Sequence, residues 1–171
     1  MTFQYTDNQK RTNINVISEG DGIECVYIQI DDRVGLKLYK TLEEATEARK
    51  FQFVASVFYI GPDVYSQVVH LNVDPDSPGC HWGFLHDRKE VWGYYTEIVL
   101  CLRDLPERNY AAELRELKRT ARVNMDWQIT DDHSGNLGIK NGKMVFIDFG
   151  KISNFYSEED IKPLYARYGI E

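Results

Sequence analysis

Three polar side chains in the last third of the chain have the types and spacing that nucleotide phosphate chemistry requires. Asn136 lies five positions after Asp131, and Asp148, which opens the run Asp-Phe-Gly, follows twelve positions later. The residues between Asn136 and Asp148 can form one short hairpin, which would bring both acids and the amide together. Carboxylate and amide oxygens can orient a hydroxyl and hold the metal ions of a nucleoside triphosphate. The spacing therefore predicts phosphoryl-transfer chemistry.

The bulk composition is that of an ordinary globular chain with an acidic balance. The 171 residues are 43% apolar and 27% charged, which suits one domain with a core or two small lobes. The formal net charge of −7 argues against non-specific binding to nucleic acid or to an anionic membrane, and it suits solubility or a basic partner.

Cysteine usage and the N-terminal residues indicate a cytoplasmic protein. Cys25, Cys80 and Cys101 are widely spread, so we expect no disulfide framework and a reducing compartment. The start of the chain has neither a basic segment nor an apolar one, and it is therefore not read as a signal peptide. No apolar stretch of the sequence reaches membrane-spanning length.

The N-terminal part of the chain favours strands joined by short turns. Apolar residues alternate in Ile14–Ser18, Cys25–Ile30 and Arg33–Tyr39. The clusters Glu19–Gly22 and Asp31-Asp32 are typical of turns, since glycine tolerates positive φ. Three successive strands with short turns predict an antiparallel meander.

Helices and further strands are predicted after the meander. A capping box formed by Thr41 and Glu44 opens a helix over about residues 41–58. Strands at about 64–72 and 91–99 enclose an irregular insertion at about 74–90. The remaining predicted elements are a helix over Glu107–Arg122, a strand over Met144–Ile147 and a helix from Ser157 to about Tyr168.

This order of elements and motifs resembles the protein-kinase-like fold over about residues 14–150. The loop Asp131-x-His133-x-Gly135-Asn136 is most similar to the catalytic loop of aminoglycoside-phosphotransferase-type kinases and of small serine/threonine kinases of some bacteriophages. The resemblance implies an α+β fold, with an antiparallel-sheet N-lobe carrying one helix and a truncated helical C-lobe. Residues 1–99 would form the N-lobe, with a five-stranded sheet, and residues 100–171 the reduced C-lobe.

The resemblance implies a role for each matching residue of the hairpin region. Asp131 would accept or orient the proton of the attacking hydroxyl. Asn136 and Asp148 would hold Mg²⁺, with Asp148 bridging the metal to the β- and γ-phosphates. His133 is expected to brace the loop. Cys80, His81 and His86 lack the spacing of a standard zinc site.

Further residues are implied to bind ATP. Lys37 matches the strand lysine that grips the α- and β-phosphates, with Glu47 as its helix partner and Glu44 as the alternative. The alternative for Glu47 is a glutamate that faces solvent on the helix. The alternative for Gly20 and Gly22 is an ordinary hairpin turn that binds no phosphate. The resemblance also implies that the backbone at Gly20 and Gly22 approaches the phosphates. Adenine would bind to a hinge from Tyr95 to Ile98, through Glu97 and Ile98.

The chain departs from the family pattern in three places. Gly20-Asp21-Gly22 is a fragment of the glycine loop, and Ile129 and Thr130 replace the usual His-Arg. Only 21 residues follow Gly150, so the expected fold is a truncated kinase with a reduced substrate-docking part.

The predicted function is a minimal kinase, dependent on ATP and Mg²⁺, that phosphorylates Ser or Thr of a protein or a hydroxyl of a small molecule. The phage-like loop implies a viral origin, with a host protein as substrate in the host cytoplasm. The alternative is a pseudokinase-like inhibitor that uses the scaffold to block a host partner without phosphotransfer. A plain α+β structural domain is a third reading.

Overall fold

The computed structural model describes residues 2–7, 10–15, 19–21, 25–73, 85, 88–149 and 166. Within these ranges the fold is mixed α+β, with antiparallel sheets and two α-helices. Neither helix of this described part is long and apolar enough to cross a membrane. The chain divides into two compact units, which we call the sheet unit (Met1–Arg49 with Val64–Ile98) and the hairpin unit (Lys50–Asp63 with Val99–Glu171).

In the part of the chain that the structure describes, the sheet unit contains an antiparallel sheet of seven strands. Its strands are β1 (Thr2–Asp7), β2 (Lys10–Asn15), β3 (Glu19–Asp21), β4 (Val26–Gln29), β5 (Val34–Tyr39), β6 (Val69–Val73) and β7 (Glu90–Glu97). They are ordered β2-β1-β6-β7-β5-β4-β3 across the sheet. The sequence predicts five strands, and the difference arises at the N-terminus, where β1 and β3 were not recognised.

The predicted turn at Glu19–Gly22 is wrong for the residues that the structure describes there. Glu19–Asp21 form β3, and Gly20 lies opposite Tyr27 of β4. Pairing with β4 outweighs the turn preference of the local sequence, as happens when a segment of low strand propensity finds a partner strand. Several predicted features lie outside the described residues. They are Gly22, Gly150, residues 74–84 with Cys80 and His81, and His86. The predicted helix Ser157–Tyr168 also lies outside them, apart from Ala166.

The middle of the sheet is an aliphatic core. β5 lies between β4 and β7, so its backbone is paired on both edges. Side chains from four strands are fully enclosed, and they include Val26, Ile28, Leu36, Leu38, Leu71 and Val91. The turn between β4 and β5 is the one predicted at Asp31-Asp32: Asp31 Oδ1 accepts hydrogen bonds from the N–H groups of Arg33 (2.7 Å) and Val34 (2.8 Å).

The first helix, α1 (Leu42–Val57), begins with the predicted capping box. The N–H of Glu44 donates to Thr41 Oγ1 at 3.2 Å, and Glu44 Oε2 accepts from the N–H of Thr41 at 3.1 Å. The helix buries a face of small and aromatic side chains at helical spacing, namely Ala45, Ala48, Phe51, Val54 and Ala55. It ends at Val57, close to the predicted end near residue 58, and Tyr59 follows with a positive φ of 59°.

The hairpin unit carries the second helix and a small antiparallel sheet. The sheet is formed by β8 (Leu100–Cys101), β9 (Leu137–Lys140) and β10 (Lys143–Phe146), with β9 in the centre. Helix α2 (Ala111–Met125) starts and ends a few residues later than predicted. Asn109 Oδ1 accepts a hydrogen bond from the N–H of Ala111 at 2.9 Å, which forms an Asx turn directly before the helix. Its buried face is Leu117, Ala121 and Met125.

Candidate functional site

The β9–β10 hairpin brings Asn136 and the segment containing Asp148 to its open end. Asn141 and Gly142 both have positive φ (50° and 77°), which is the backbone of the tight Asn-Gly hairpin turn. The turn sets a register in which Leu137 pairs with Phe146. One step further, the N–H of Ile147 donates to the carbonyl of Asn136 at 2.9 Å. Asp148 therefore follows directly after the residue that faces Asn136.

Asn136 also holds Asp131. Its side chain is only 6% exposed, and its Nδ2 donates to Asp131 Oδ2 at 2.9 Å and to the Asp131 carbonyl at 3.2 Å. Asp131 itself is exposed. The structure thus joins two of the three residues that the sequence singles out, and it leaves Asp131 exposed to solvent.

His133 braces the loop in a defined tautomer. The N–H of Gly135 donates to His133 Nδ1 at 3.1 Å, so in the neutral ring the proton sits on Nε2. Nε2 lies 3.6 Å from Asp131 Oδ1, which is beyond a direct hydrogen bond and within electrostatic reach. A Cβ at position 135 would lie 3.0 Å from His133 Cε1, which explains a glycine there.

The rest of the loop is tied to two neighbouring elements of the hairpin unit. The carbonyl of Ser134 accepts from the N–H of Arg103 at 3.2 Å and from Cys101 Sγ at 3.4 Å. On the other side, Lys118 Nζ of α2 lies 2.5 Å from Asp132 Oδ2. The hydrogen bond from Lys118 is the main reason that the pKa of Asp132 is lowered. No local sequence pattern indicates this contact, because it joins a helix to a loop that comes later in the chain.

An aromatic cluster lies beneath the Asp-Phe-Gly segment. Phe149 is 1% exposed and packs edge-on against Phe146 with ring centroids 5.5 Å apart. Trp127 contacts Phe146 and Phe51 edge-on, at 4.9 Å and 4.8 Å. A Cβ at Gly61 would lie 3.0 Å from Phe149, so a side chain there would displace the ring. Burial of Phe149 anchors the backbone directly after the exposed Asp148.

In the sheet unit, Lys37 is a buried lysine. It lies on β5 opposite Tyr27 of β4 and Tyr94 of β7, and it is 6% exposed. An ammonium group taken out of water needs an anionic partner or polar contacts to remain charged. Glu47 is half-buried on α1 in the same unit. Glu44, the alternative partner, is exposed and already engaged in the capping box.

The other predicted nucleotide contacts have the following positions. Gly20 is a strand residue of β3. Glu97 ends β7 and pairs with Val34. The N–H of Ile98 donates to the carbonyl of Arg33 at 3.1 Å, so Ile98 can offer adenine only its carbonyl oxygen.

The end of the hairpin carries oxygen donors of the kind that Mg²⁺ prefers. No group of three or more His, Cys, Asp or Glu side chains in the described ranges is arranged to hold a metal ion. Because Asn136 donates through Nδ2, its amide oxygen is a hard donor beside the carboxylates of Asp131 and Asp148. Mg²⁺ commonly takes one or two protein ligands and completes its octahedron with phosphate oxygens and water.

Neither the family models nor the curated proteins with which the sequence was compared match this chain.

Proposed function

We propose that this protein is a minimal kinase that transfers the γ-phosphoryl group of ATP to a hydroxyl group, with a Ser or Thr of a protein as the favoured acceptor. The observation that carries the proposal is the pairing of a buried Asn136 amide with the Asp131 carboxylate, 2.9 Å apart, at the hairpin end from which Asp148 emerges. Phosphoryl transfer asks a protein mainly for alignment and for neutralisation of charge.

Each residue of the hairpin unit has a defined task in this proposal. Asp131 orients the acceptor hydroxyl and receives its proton as the oxygen attacks the γ-phosphorus. The bond from that phosphorus to the β–γ bridging oxygen breaks, and ADP leaves with the bond's electron pair. Asn136 and Asp148 would hold Mg²⁺, which would offset the negative charge of the phosphates. The hydrogen bond from Asn136 fixes the rotamer of Asp131 before the substrate arrives.

Lys37 binds the α- and β-phosphates in this proposal, and Glu47 is its counter-ion. The burial of Lys37 supports the pairing, since a lone buried ammonium would cost several kcal/mol. Engagement of Glu44 in the cap leaves Glu47 as the better partner. A double-mutant cycle over Lys37→Met and Glu47→Leu tests it. Glu47→Leu alone should cost about 3–5 kcal/mol of unfolding free energy, and the double variant much less.

The cycle is decided by whether the losses of unfolding free energy in the two single variants add up to the loss in the double variant. Losses that add within about 0.5 kcal/mol would show that Lys37 and Glu47 do not interact. Glu44→Leu is the matched control, because it removes the Glu44 half of the helix cap, and its effect should add to that of Lys37→Met.

Transfer from γ-labelled ATP to mixed protein and small-hydroxyl acceptors tests the function itself. Asp131→Asn should lower the rate by about 10²–10⁴-fold while MgATP still raises the thermal midpoint, because the proton acceptor is lost and the nucleotide contacts remain. Asp148→Asn should lose both transfer and the Mg²⁺-dependent rise in the midpoint. Asp32→Asn, in an exposed turn of the sheet unit, is the control and should behave as wild type.

Two outcomes would overturn the proposal. Equal labelling by wild type and by both site variants would remove Asp131 and Asp148 from the chemistry. A thermal shift with MgATP but no transfer to any acceptor would instead favour the pseudokinase-like inhibitor. Saturation at about a hundred times the dissociation constant stabilises by roughly 2.7 kcal/mol, so binding is easily detected.

A further inference from the structure

We propose that Lys118 is a positioning residue for Asp131. Through its ion pair with Asp132, Lys118 fixes the backbone next to Asp131, which carries the reacting carboxylate. This inference rests on the proposed function, and it assigns a role to a lysine that sequence patterns place on an ordinary solvated helix face.

The helix side of the contact is firmly held. Lys118 directly follows Leu117, which is 3% exposed, and Ala121 and Met125 continue the same buried face. The Lys118 stem therefore leaves α2 at the border between its buried and exposed faces. The ion pair has both partners partly shielded, with side-chain exposures of 40% for Lys118 and 32% for Asp132.

The loop side of the contact has no regular secondary structure. Asp131 and His133–Gly135 depend on side-chain and backbone hydrogen bonds for their conformation. Asp131 is drawn toward the hairpin by Asn136, while Asp132 is drawn toward α2 by Lys118. Two anchors on consecutive residues restrict the backbone between them. Lys118 also offsets one of two adjacent carboxylates, which would otherwise repel each other.

Lys118→Met keeps the apolar stem and removes the charge. We expect kcat to fall about tenfold with the KM for ATP unchanged, because misplacing a reacting group slows the chemical step without weakening nucleotide binding. Lys118→Arg should restore most of kcat, since it can still pair with Asp132. Arg122→Met removes an exposed charge one turn further along α2 and should leave both constants as in wild type.

Amide hydrogen exchange gives a readout that does not require activity. The N–H of Gly135 donates to His133 Nδ1 and that of Asn136 to the His133 carbonyl, so both report the loop conformation. Lys118→Met should speed their exchange severalfold, while Arg122→Met leaves it unchanged. If wild type transfers no phosphate, the proposed function fails, and the exchange data alone then decide whether Lys118 orders the loop.

Three results would overturn the inference. Unchanged kcat and exchange in Lys118→Met would show that the ion pair positions nothing. An increase in KM at constant kcat would assign Lys118 to binding. Equal effects of Lys118→Met and Arg122→Met would show a general electrostatic influence of the helix.

Discussion

The sheet unit and the hairpin unit place their candidate functional residues by opposite means. Lys37 is enclosed in the middle of a seven-stranded sheet, where strand pairing on both sides fixes its position. Asp131 and Asp148 are exposed on irregular backbone. Their positions depend on the Asn136 hydrogen bonds and on the burial of Phe149. Strand pairing therefore holds the buried Lys37 in place, whereas the exposed Asp131 and Asp148 depend on contacts made by residues close to them in the chain.

The largest expected effect breaks the hairpin unit at its aromatic anchor. Phe149→Ala should lower the unfolding free energy by about 3–5 kcal/mol, because it leaves a cavity against Phe146, Phe51 and Trp127. Urea denaturation measures the loss. Val123→Ala, at a site 70% exposed on α2, is the control and should change stability by less than about 0.5 kcal/mol. Equal losses in both variants would show that Phe149 is no anchor.

A smaller effect is expected in the sheet unit, whose stability should fall at alkaline pH. Burial is the main cause that raises the pKa of Tyr39 and of Tyr27 above the ordinary value of 10.0. The unfolded chain therefore loses these protons first. The stability they contribute is complete below about pH 10 and declines as pH rises, by up to about 1.4 kcal/mol per pH unit for each tyrosine.

Unfolding free energies measured between pH 9 and pH 11.5 check this response. Tyr27→Phe and Tyr39→Phe should each make the decline shallower, while Tyr59→Phe, at a site 71% exposed, controls for loss of a hydroxyl. A decline of the same slope in all four proteins would contradict the assignment.

The smallest expected effect is the loss of stability when the capping box of α1 is broken. Thr41→Ala removes one half of the capping box and should cost about 1 kcal/mol. Thr41→Ser keeps the hydroxyl and should recover most of it. Thermal unfolding of the three proteins measures the difference, and a Thr41→Ala variant as stable as wild type would show that the box contributes nothing.

The sequence predicts local features well where a few neighbouring residues determine them. The capping box at Thr41, the Asp31-Asp32 turn and the end of α1 are all confirmed, because each depends on residues within a few positions. The strand at Glu19–Asp21 was missed, since it exists only through pairing with β4.

Contacts at the candidate site likewise divide into those that neighbouring residues determine and those that depend on distant parts of the chain. The Asp131 to Asn136 contact follows from a five-residue spacing within one loop. The Lys118 to Asp132 contact joins a helix to a loop, and helical periodicity alone cannot show which exposed lysine finds a partner. The burial of Phe149 likewise depends on Phe51 and Trp127, which come from distant parts of the chain.

Calorimetric titration of ATP, with and without Mg²⁺, tests the central claim most directly. The account predicts a single Mg²⁺-dependent binding event in wild type that is abolished or greatly weakened both by Lys37→Met in the sheet unit and by Asp148→Asn in the hairpin unit. Asp32→Asn should bind as wild type does. No binding in wild type, or binding that neither Lys37→Met nor Asp148→Asn changes, would contradict it.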